Sequence, residues 1–407
     1  MHPDVAGERG FKAGWLVFAA TIGNMLSISP VILATFGLFL IPIADEFGWP
    51  RSIVSAALAV AMIGAAVGAT PAGRIADRFG SRRTILAGNL LFALSVALIA
   101  AVGANPAIFF FQFLLVGLAG ALASGMVIAK LLADSFDGRR GFLIGIAGGI
   151  GNGVGAAVLP IIASVVVAAY GWREGYVALG ATVLLLGFPI LYVFIKVPPV
   201  EQAVAKGIEP EGTSLRSSFK DAKFWLLATS IPLGGGCLQA LFATITPILA
   251  ERGISIDIGT AVIAIFALTC AFWEPTVGLL LDKTARPLLL APCYASGVLG
   301  VLLLLFATSI PLILLSGLFF GLALGAEFSA LTLMLSRYFG RKELGAISGI
   351  IFGAALFVAA AATVLLNICF DVTGSYRLGL FVLIPLLAWN SLAILGLPRY
   401  TFARGQE

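Results

Sequence analysis

Histidine is almost missing from this chain: His2, in the N-terminal tail, is the only one in 407 residues. No histidine base, zinc trio or haem axial pair can therefore be assembled in the body of the protein. Cysteine is scarce as well. Cys237, Cys270, Cys293 and Cys369 each sit inside an apolar run with no Cys-x-x-Cys spacing. They read as small buried hydrophobes, not as a redox or metal set. With neither a nucleophile–base pair nor a metal constellation to build, an enzyme is not expected and no cofactor is called for. Charge is the third shortage. Asp, Glu, Lys and Arg make up 11% of the residues, against about 25% in an ordinary soluble domain.

What fills the space is apolar. Sixty per cent of the residues are hydrophobic and the mean hydropathy is +1.07, too much to hide inside one water-soluble globule. An integral all-α membrane protein is the expectation. A spanning helix uses about 20 residues, and twelve apolar spans can be marked. The first six run roughly over 13–40, 52–76, 84–104, 107–133, 141–169 and 175–197. The second six run roughly over 223–250, 258–281, 287–307, 311–336, 343–369 and 377–397. The polar stretch 198–222 divides the chain into an N-terminal bundle (1–197), a linker and a C-terminal bundle (223–407). Residues 1–12 carry charges but no separate apolar core, so no removable signal peptide is expected.

Charge placement gives the orientation. With the N-terminus inside, only Arg51, Arg173, Arg252 and Arg377 of the 25 Lys and Arg residues fall outside. This positive-inside bias puts both termini in the cytoplasm. It also accounts for the net charge of +5 without a nucleic-acid partner. A multi-pass protein of the cell membrane, such as a bacterial inner membrane, fits best.

The halves repeat one another. Gly73-x3-Asp77 at the end of span 2 recurs as Gly278-x3-Asp282 at the end of span 8. Phe136-Asp137-Gly138-Arg139-Arg140 before span 5 is echoed by Tyr338-Phe339-Gly340-Arg341-Lys342 before span 11. Gly145, Gly149 and Gly153 match Gly345, Gly349 and Gly353, a spacing that lets helices approach closely. Internal duplication of this kind is how many secondary transporters are built.

The segment Gly73-Arg74-Ile75-Ala76-Asp77-Arg78-Phe79-Gly80-Ser81-Arg82-Arg83 resembles the loop 2–3 signature of the major facilitator superfamily, with Ser81 where a basic residue is commoner. The resemblance implies two pseudo-symmetric six-helix bundles and a secondary carrier that functions as a monomer. It also implies a gating group of Gly73, Asp77, Arg78, Gly80, Arg82 and Arg83, in which Asp77 braces helix ends. Within the superfamily, Gly14-Trp15, the Gly-Trp-Pro-Arg turn at 48–51, the Gly-Trp-Arg turn at 171–173 and Ser336-Arg337-Tyr338-Phe339-Gly340 resemble the monocarboxylate and oxalate/formate transporter group. Where monocarboxylate carriers often show Arg-Pro-x-x-Gly in span 8, this chain reads Glu274-Pro275-Thr276-Val277-Gly278. The charge is reversed at that point.

Charge inside a span is expensive and marks function by default. Lys130, Glu274 and Glu327 are the three charged residues placed well inside spans. The two glutamates lie at similar depth, about 7–8 Å from their helix centres at 1.5 Å per residue. A carboxyl drawn out of water there can bind and release protons, as a proton-coupled carrier requires. The alternative is a structural group bonded to neighbours such as Ser329, Thr332, Thr269 or Thr276. Lys130 is either a partner for solute or carboxylate, or a snorkelling side chain four residues before Asp134.

Neutral polar candidates are Asn24, Ser27, Ser124, Asn152, Gln239 and Asn367. The resemblance places Asn24 and Gln239 on cavity-lining helices. Trp273 and Phe328, neighbours of the glutamates, are the aromatic candidates for a solute wall. The expected function is proton-coupled uptake of a small organic solute, such as an organic acid, aromatic or vitamin-like compound. The competing expectation is a proton-driven efflux pump of the same fold. The Gly-Pro-x-x-Gly-Gly pattern usual in span 5 of such exporters is absent from GNGVGAAVLP, 151–160.

Overall fold

In lipid every backbone N–H and C=O has to be bonded within its own segment, so the apolar runs become helices. A computed structural model of the chain describes residues 3–136, 139–198, 201 and 210–402, and leaves out the side chains of residues 3–13, 51, 52, 256, 328 and 329. Among the described residues, twelve helices are long and apolar enough to cross a bilayer. The first six are α1 (Gly14–Phe47), α2 (Ile53–Phe79), α3 (Ser81–Ala101), α4 (Pro106–Ser135), α5 (Arg140–Tyr170) and α6 (Trp172–Phe194). The second six are α7 (Ala222–Glu251), α8 (Asp257–Asp282), α9 (Pro287–Phe306), α10 (Ile310–Phe339), α11 (Leu344–Thr373) and α12 (Arg377–Leu395). The largest departure from the expected ends is at α1, which runs on to Phe47 and takes Asp45 and Glu46 into the helix.

Local chemistry sets the boundaries. Asn105 accepts from the N–H groups of Ala107 and Ile108 at 2.9 and 3.4 Å, with Pro106 in the first helical position. Asp221 caps α7 in the same way through Lys223 N–H, at 2.9 Å. Between α2 and α3 a single residue, Gly80, turns the chain at φ +90°, where a side chain is rarely tolerated. Two helices are broken in mid-span. α1 loses helical geometry between Met25 and Phe36, apart from a π-helical turn at Ser29–Leu33, and α4 is interrupted at Ala123–Ser124.

The chain forms two compact units, Met1–Asp137 with Ile146–Pro210, and Gly138–Gly145 with Glu211–Glu407. The opening turns of α5, Arg140–Gly145, therefore pack with the second unit. A methyl group on Gly278 of α8 would collide with the Gly141 backbone, and one on Gly145 would lie 2.6 Å from the Glu274 carbonyl. Only glycine allows that approach.

Each unit has its own apolar interior. In the first, Phe39 stacks on Tyr176 at 3.9 Å, and Phe109, Phe113 and Trp172 close around them. In the second, Phe266 packs on Phe320 at 5.6 Å beneath α7, α9 and α12. Large apolar side chains such as Phe272 (74% exposed) and Leu185 (73%) remain on the outside. That is the sign of a protein whose solvent is lipid.

Candidate functional site

Three polar groups stand out against this apolar background. The first is at the basic end of the first unit. Asp77 closes the basic end of α2, and Lys130 and Asp134 stand one turn apart in the second half of α4. The Lys130 ammonium lies 2.5 Å from Asp134 and 3.4 Å from Asp77, and is only 4% exposed. Lys130, expected beside a solute, is thus drawn into the loop 2–3 group, where its charge is held by two carboxylates.

Glu201 joins this group from the start of the linker and accepts the Ser81 N–H at 2.6 Å. Burial pushes its carboxyl above the usual range, while the Ser81 bond and the nearby Lys130 pull the other way. Arg82 donates to the last carbonyls of α6, Ile195 at 2.7 Å and Tyr192 at 3.1 Å. Arg78 lies over the Phe79 ring at 5.2 Å, and both Arg78 and Arg83 are exposed.

The second unit repeats the plan. Asp282 at the end of α8 accepts from Gly141 N–H (3.1 Å), Phe142 N–H (3.2 Å) and Arg337 of α10 (3.3 Å). Arg337 also donates to the Leu281 carbonyl at 2.7 Å. The second part of the linker docks beside it. Thr213 N–H bonds Phe339 O and Arg341 N–H bonds Glu211 O, both at 2.8 Å, and Glu343 accepts from Leu215 N–H at 2.8 Å.

The third group lies inside the spanning helices, away from their ends. Glu327 of α10 is 4% exposed; it accepts the Gly235 N–H of α7 at 2.9 Å and faces the Asn390 amide of α12 at 3.5 Å. All its hydrogen-bond donors are neutral. Glu274 of α8 is equally buried and has no hydrogen bond or ion pair among the described residues. α8 and α10 do pack together, Gly325 lying against Cys270, but the carboxyl of Glu327 turns instead toward α7 and α12. The two acids therefore occupy separate surroundings.

Trp273 is half-buried, with its indole N–H facing the Cys293 thiol of α9 and no oxygen acceptor. Gln239 is half-buried and has no hydrogen-bond partner among the described residues. The side chain of Phe328 lies outside the described residues. In the first unit, Asn24 donates to Ala20 O at 3.1 Å, while its Oδ1 is unpartnered and points at Gly125 beyond the break in α4. Ser27 and Asn152 bond one another at 3.3 Å, a helix-to-helix contact. Asn367 serves Tyr376, whose hydroxyl donates to it at 3.1 Å.

Sequence reasoning missed Asn390, the role of Glu201 and a pair of clasps at the opposite end of the units. Glu46 takes Trp172 Nε1 at 2.6 Å and the Arg173 guanidinium at 2.5 Å. Glu251 takes Ser375 Oγ at 2.5 Å and Tyr376 N–H at 2.8 Å. A signal was present: Glu46 and Glu251 are 205 positions apart, as are Asp77 and Asp282.

Comparison with known proteins follows the same lines. A profile described as Major Facilitator Superfamily matches residues 16–364, and again 233–402. A curated relative, the MFS transporter asaE of Aspergillus flavus, is 25% identical over 253 residues, which is 60% of this chain. The chain spans only 55% of that relative's length. Among solved structures, the proton:xylose symporter XylE superposes with a TM-score of 0.69 at 16% identity, covering 95% of each chain. The Escherichia coli fucose:proton symporter FucP gives 0.69 at 14% identity, covering 94% of this chain and 98% of its own. The human organic anion transporter MFSD10 gives 0.68 at 16% identity, covering 94% and 99%. At these identities the structural likeness shows the fold.

Proposed function

The chain belongs to the Major Facilitator Superfamily, and on that premise we propose that it is a proton-coupled carrier in which Glu327 holds the coupling proton. It takes up a small organic solute across the cell membrane by rocking its N-terminal and C-terminal bundles about the 198–222 linker. The observation that carries this reading is the setting of Glu327: buried inside α10 and bonded, among the described residues, only to the Gly235 N–H and the Asn390 amide.

An ionised carboxylate without a cation in such a place costs several kcal/mol. Its charge therefore changes only when water reaches it, which ties proton transfer to the opening of one side. Asn390 suits both charge states. Its amide N–H can donate to the carboxylate, and a rotated amide offers its unpartnered Oδ1 to the protonated acid.

We assign Asn24 of the first unit and Gln239, Trp273 and Phe328 of the second to the solute path, and Glu274 to a secondary acidic role. Gly73, Asp77, Arg78, Gly80, Arg82 and Arg83 belong to the cytoplasmic gate. We place Lys130 with the gate, since its ammonium lies between Asp77 and Asp134. The loose turn matches to the monocarboxylate and oxalate/formate group favour an organic acid or related compound, handled without a span 8 arginine. XylE and FucP are proton symporters, but at their identities they bear on the fold alone.

The test is uptake into proteoliposomes under an imposed pH gradient, screened over organic acids, amines, aromatics and vitamins. Glu327→Gln should abolish gradient-driven accumulation of the solute found while leaving exchange intact. A variant that still concentrates solute with wild-type pH dependence removes Glu327 from the role. The same assay, run with the gradient reversed, separates uptake from proton-driven efflux.

A further inference from the structure

Buried polar atoms are nearly always partnered, by protein or by water. Twelve buried side-chain atoms among the described residues have no partner, and four of them fall in one sector of the second unit: Asn390 Oδ1, Tyr294 Oη, Ser230 Oγ and Tyr400 Oη. Helix register explains why they gather. Gly297 of α9 packs against Ala323 of α10, Leu238 of α7 and Leu387 of α12, at 3.4 to 3.8 Å from a methyl placed on it. One turn toward the basic end, these same helices present Tyr294, Glu327, Gly234–Gly235 and Asn390 to one another.

The neighbouring bond from Ser391 Oγ to Ala291 O, at 2.8 Å, holds α12 on α9 at this level. Tyr294, 1% exposed, lies within electrostatic reach of both Glu327 and Tyr400. Ser230 follows one turn further along α7. Tyr400 completes the series beyond α12. Its N–H is bonded to Ala285 O at 3.2 Å and its ring packs on Tyr338 at 4.9 Å, with the Arg337 guanidinium 5.0 Å away.

We propose that Tyr294, Ser230 and Tyr400, joined by ordered water, form a proton path between Glu327 and the water at the basic end, running inside the second unit. The idea rests on Glu327 as the coupling acid. Each hydroxyl is at once donor and acceptor, and buried water needs just such partners. In each transfer an oxygen takes a proton from the Glu327 side and releases its own proton onward. Only O–H bonds are exchanged, and the carboxylate left behind is reprotonated by the reverse sequence. Glu327 is bonded by the Gly235 N–H and Asn390, with Tyr294 and the Cys237 thiol within electrostatic reach. None of these is a cation; the one cation beside the path is Arg337, against Tyr400 at the basic end.

The experiment needs no solute. Infrared difference spectra of the full chain in proteoliposomes identify the Glu327 carboxyl band as the one missing from Glu327→Gln, and transfer into D2O then times its deuteration. Tyr294→Phe and Tyr400→Phe, which remove only an oxygen, should each slow that deuteration tenfold or more. Tyr338→Phe should leave it unchanged, because the Tyr338 hydroxyl already donates to Pro398 O at 2.7 Å. A Glu327 band that exchanges at the wild-type rate in Tyr294→Phe overturns the path and leaves the coupling role standing. No protonated band assignable to Glu327 between about pH 5 and about pH 9 overturns both.

Discussion

Replacing Asp282 with alanine removes three acceptor contacts at once, and their geometry gives the size of the effect. The carboxylate takes two N–H groups from the first turn of α5 and one arm of Arg337. Loss of a helix-start acceptor costs about 1 kcal/mol, up to about 2. Loss of the negative charge facing the α5 dipole adds roughly 0.3–1 kcal/mol. The Arg337 contact is long, and that guanidinium keeps its bond to Leu281 O, so the ion pair adds about 1 kcal/mol at most. The sum is roughly 1–4 kcal/mol for Asp282→Ala. Asp282→Asn, which keeps an acceptor but not the charge, should lose about half as much.

The assay is unfolding by SDS titration in mixed micelles, followed by hydrogen exchange of a peptide covering 140–145. Exchange at Gly141 and Phe142 should rise in the alanine variant while the rest of α5 is unchanged. A variant within about 0.5 kcal/mol of wild type, the range of an ordinary surface substitution, with unaltered exchange at Gly141, would refute the capping argument.

Lys130→Met should be among the most damaging single changes in the first unit. It leaves Asp77 and Asp134 without their shared cation, costing about 3–5 kcal/mol, and recovery of monodisperse protein by size exclusion reads it; adding Asp134→Asn should restore much of the loss. Glu201 gives a pH prediction. Its carboxyl is pushed up in the fold, so the folded state binds more protons and stability falls as pH rises through the carboxyl range. Glu201→Gln, which still accepts from Ser81, should therefore flatten the pH dependence of the melting temperature above the ordinary carboxyl value, and an unchanged slope would count against it. Glu46→Gln should cost no more than about 1 kcal/mol, because the clasp is partly exposed, and salt should weaken the wild-type clasp in the same direction.

Span number and order were legible because hydropathy is a local property: twenty adjacent apolar residues declare a helix whatever surrounds them. The basic cluster at 74–83 was equally local, and Lys130 lay one turn before Asp134 in plain view. What could not be read was the third member. Asp77 meets Lys130 only because α2 and α4 pack together, with Gly64 against the Leu114 carbonyl and Gly68 against Ala121. The same limit applied to Glu327. Its position on α10 was visible, but its partners, the Gly235 N–H and Asn390, arrive from α7 and α12 through packing alone. A backbone N–H leaves no mark in a sequence, and one asparagine in an apolar span looks like any other.

The internal repeat separates framework from chemistry. Carried across 205 positions, Asp77 meets Asp282 and Glu46 meets Glu251, and each pair performs the same task in its own unit: an acid at a helix end holding neighbouring elements. Carried the same distance back, the acids inside the spans meet nothing similar. The matched pairs lie 200 to 205 positions apart, and within that range Glu274 and Glu327 meet no acid and Asn390 no polar residue. Helix-end braces are thus a property of the duplicated fold, needed wherever six helices must be held together. Glu274 and Glu327 thus have no counterpart in the first unit, where the buried acid of α4 is Asp134, paired with Lys130. Since a buried ionisable group costs stability unless it is paired, Glu327, which has no cation partner among the described residues, is where the second unit departs from the pattern of the first, and that departure is the reason the proposed coupling role falls on it.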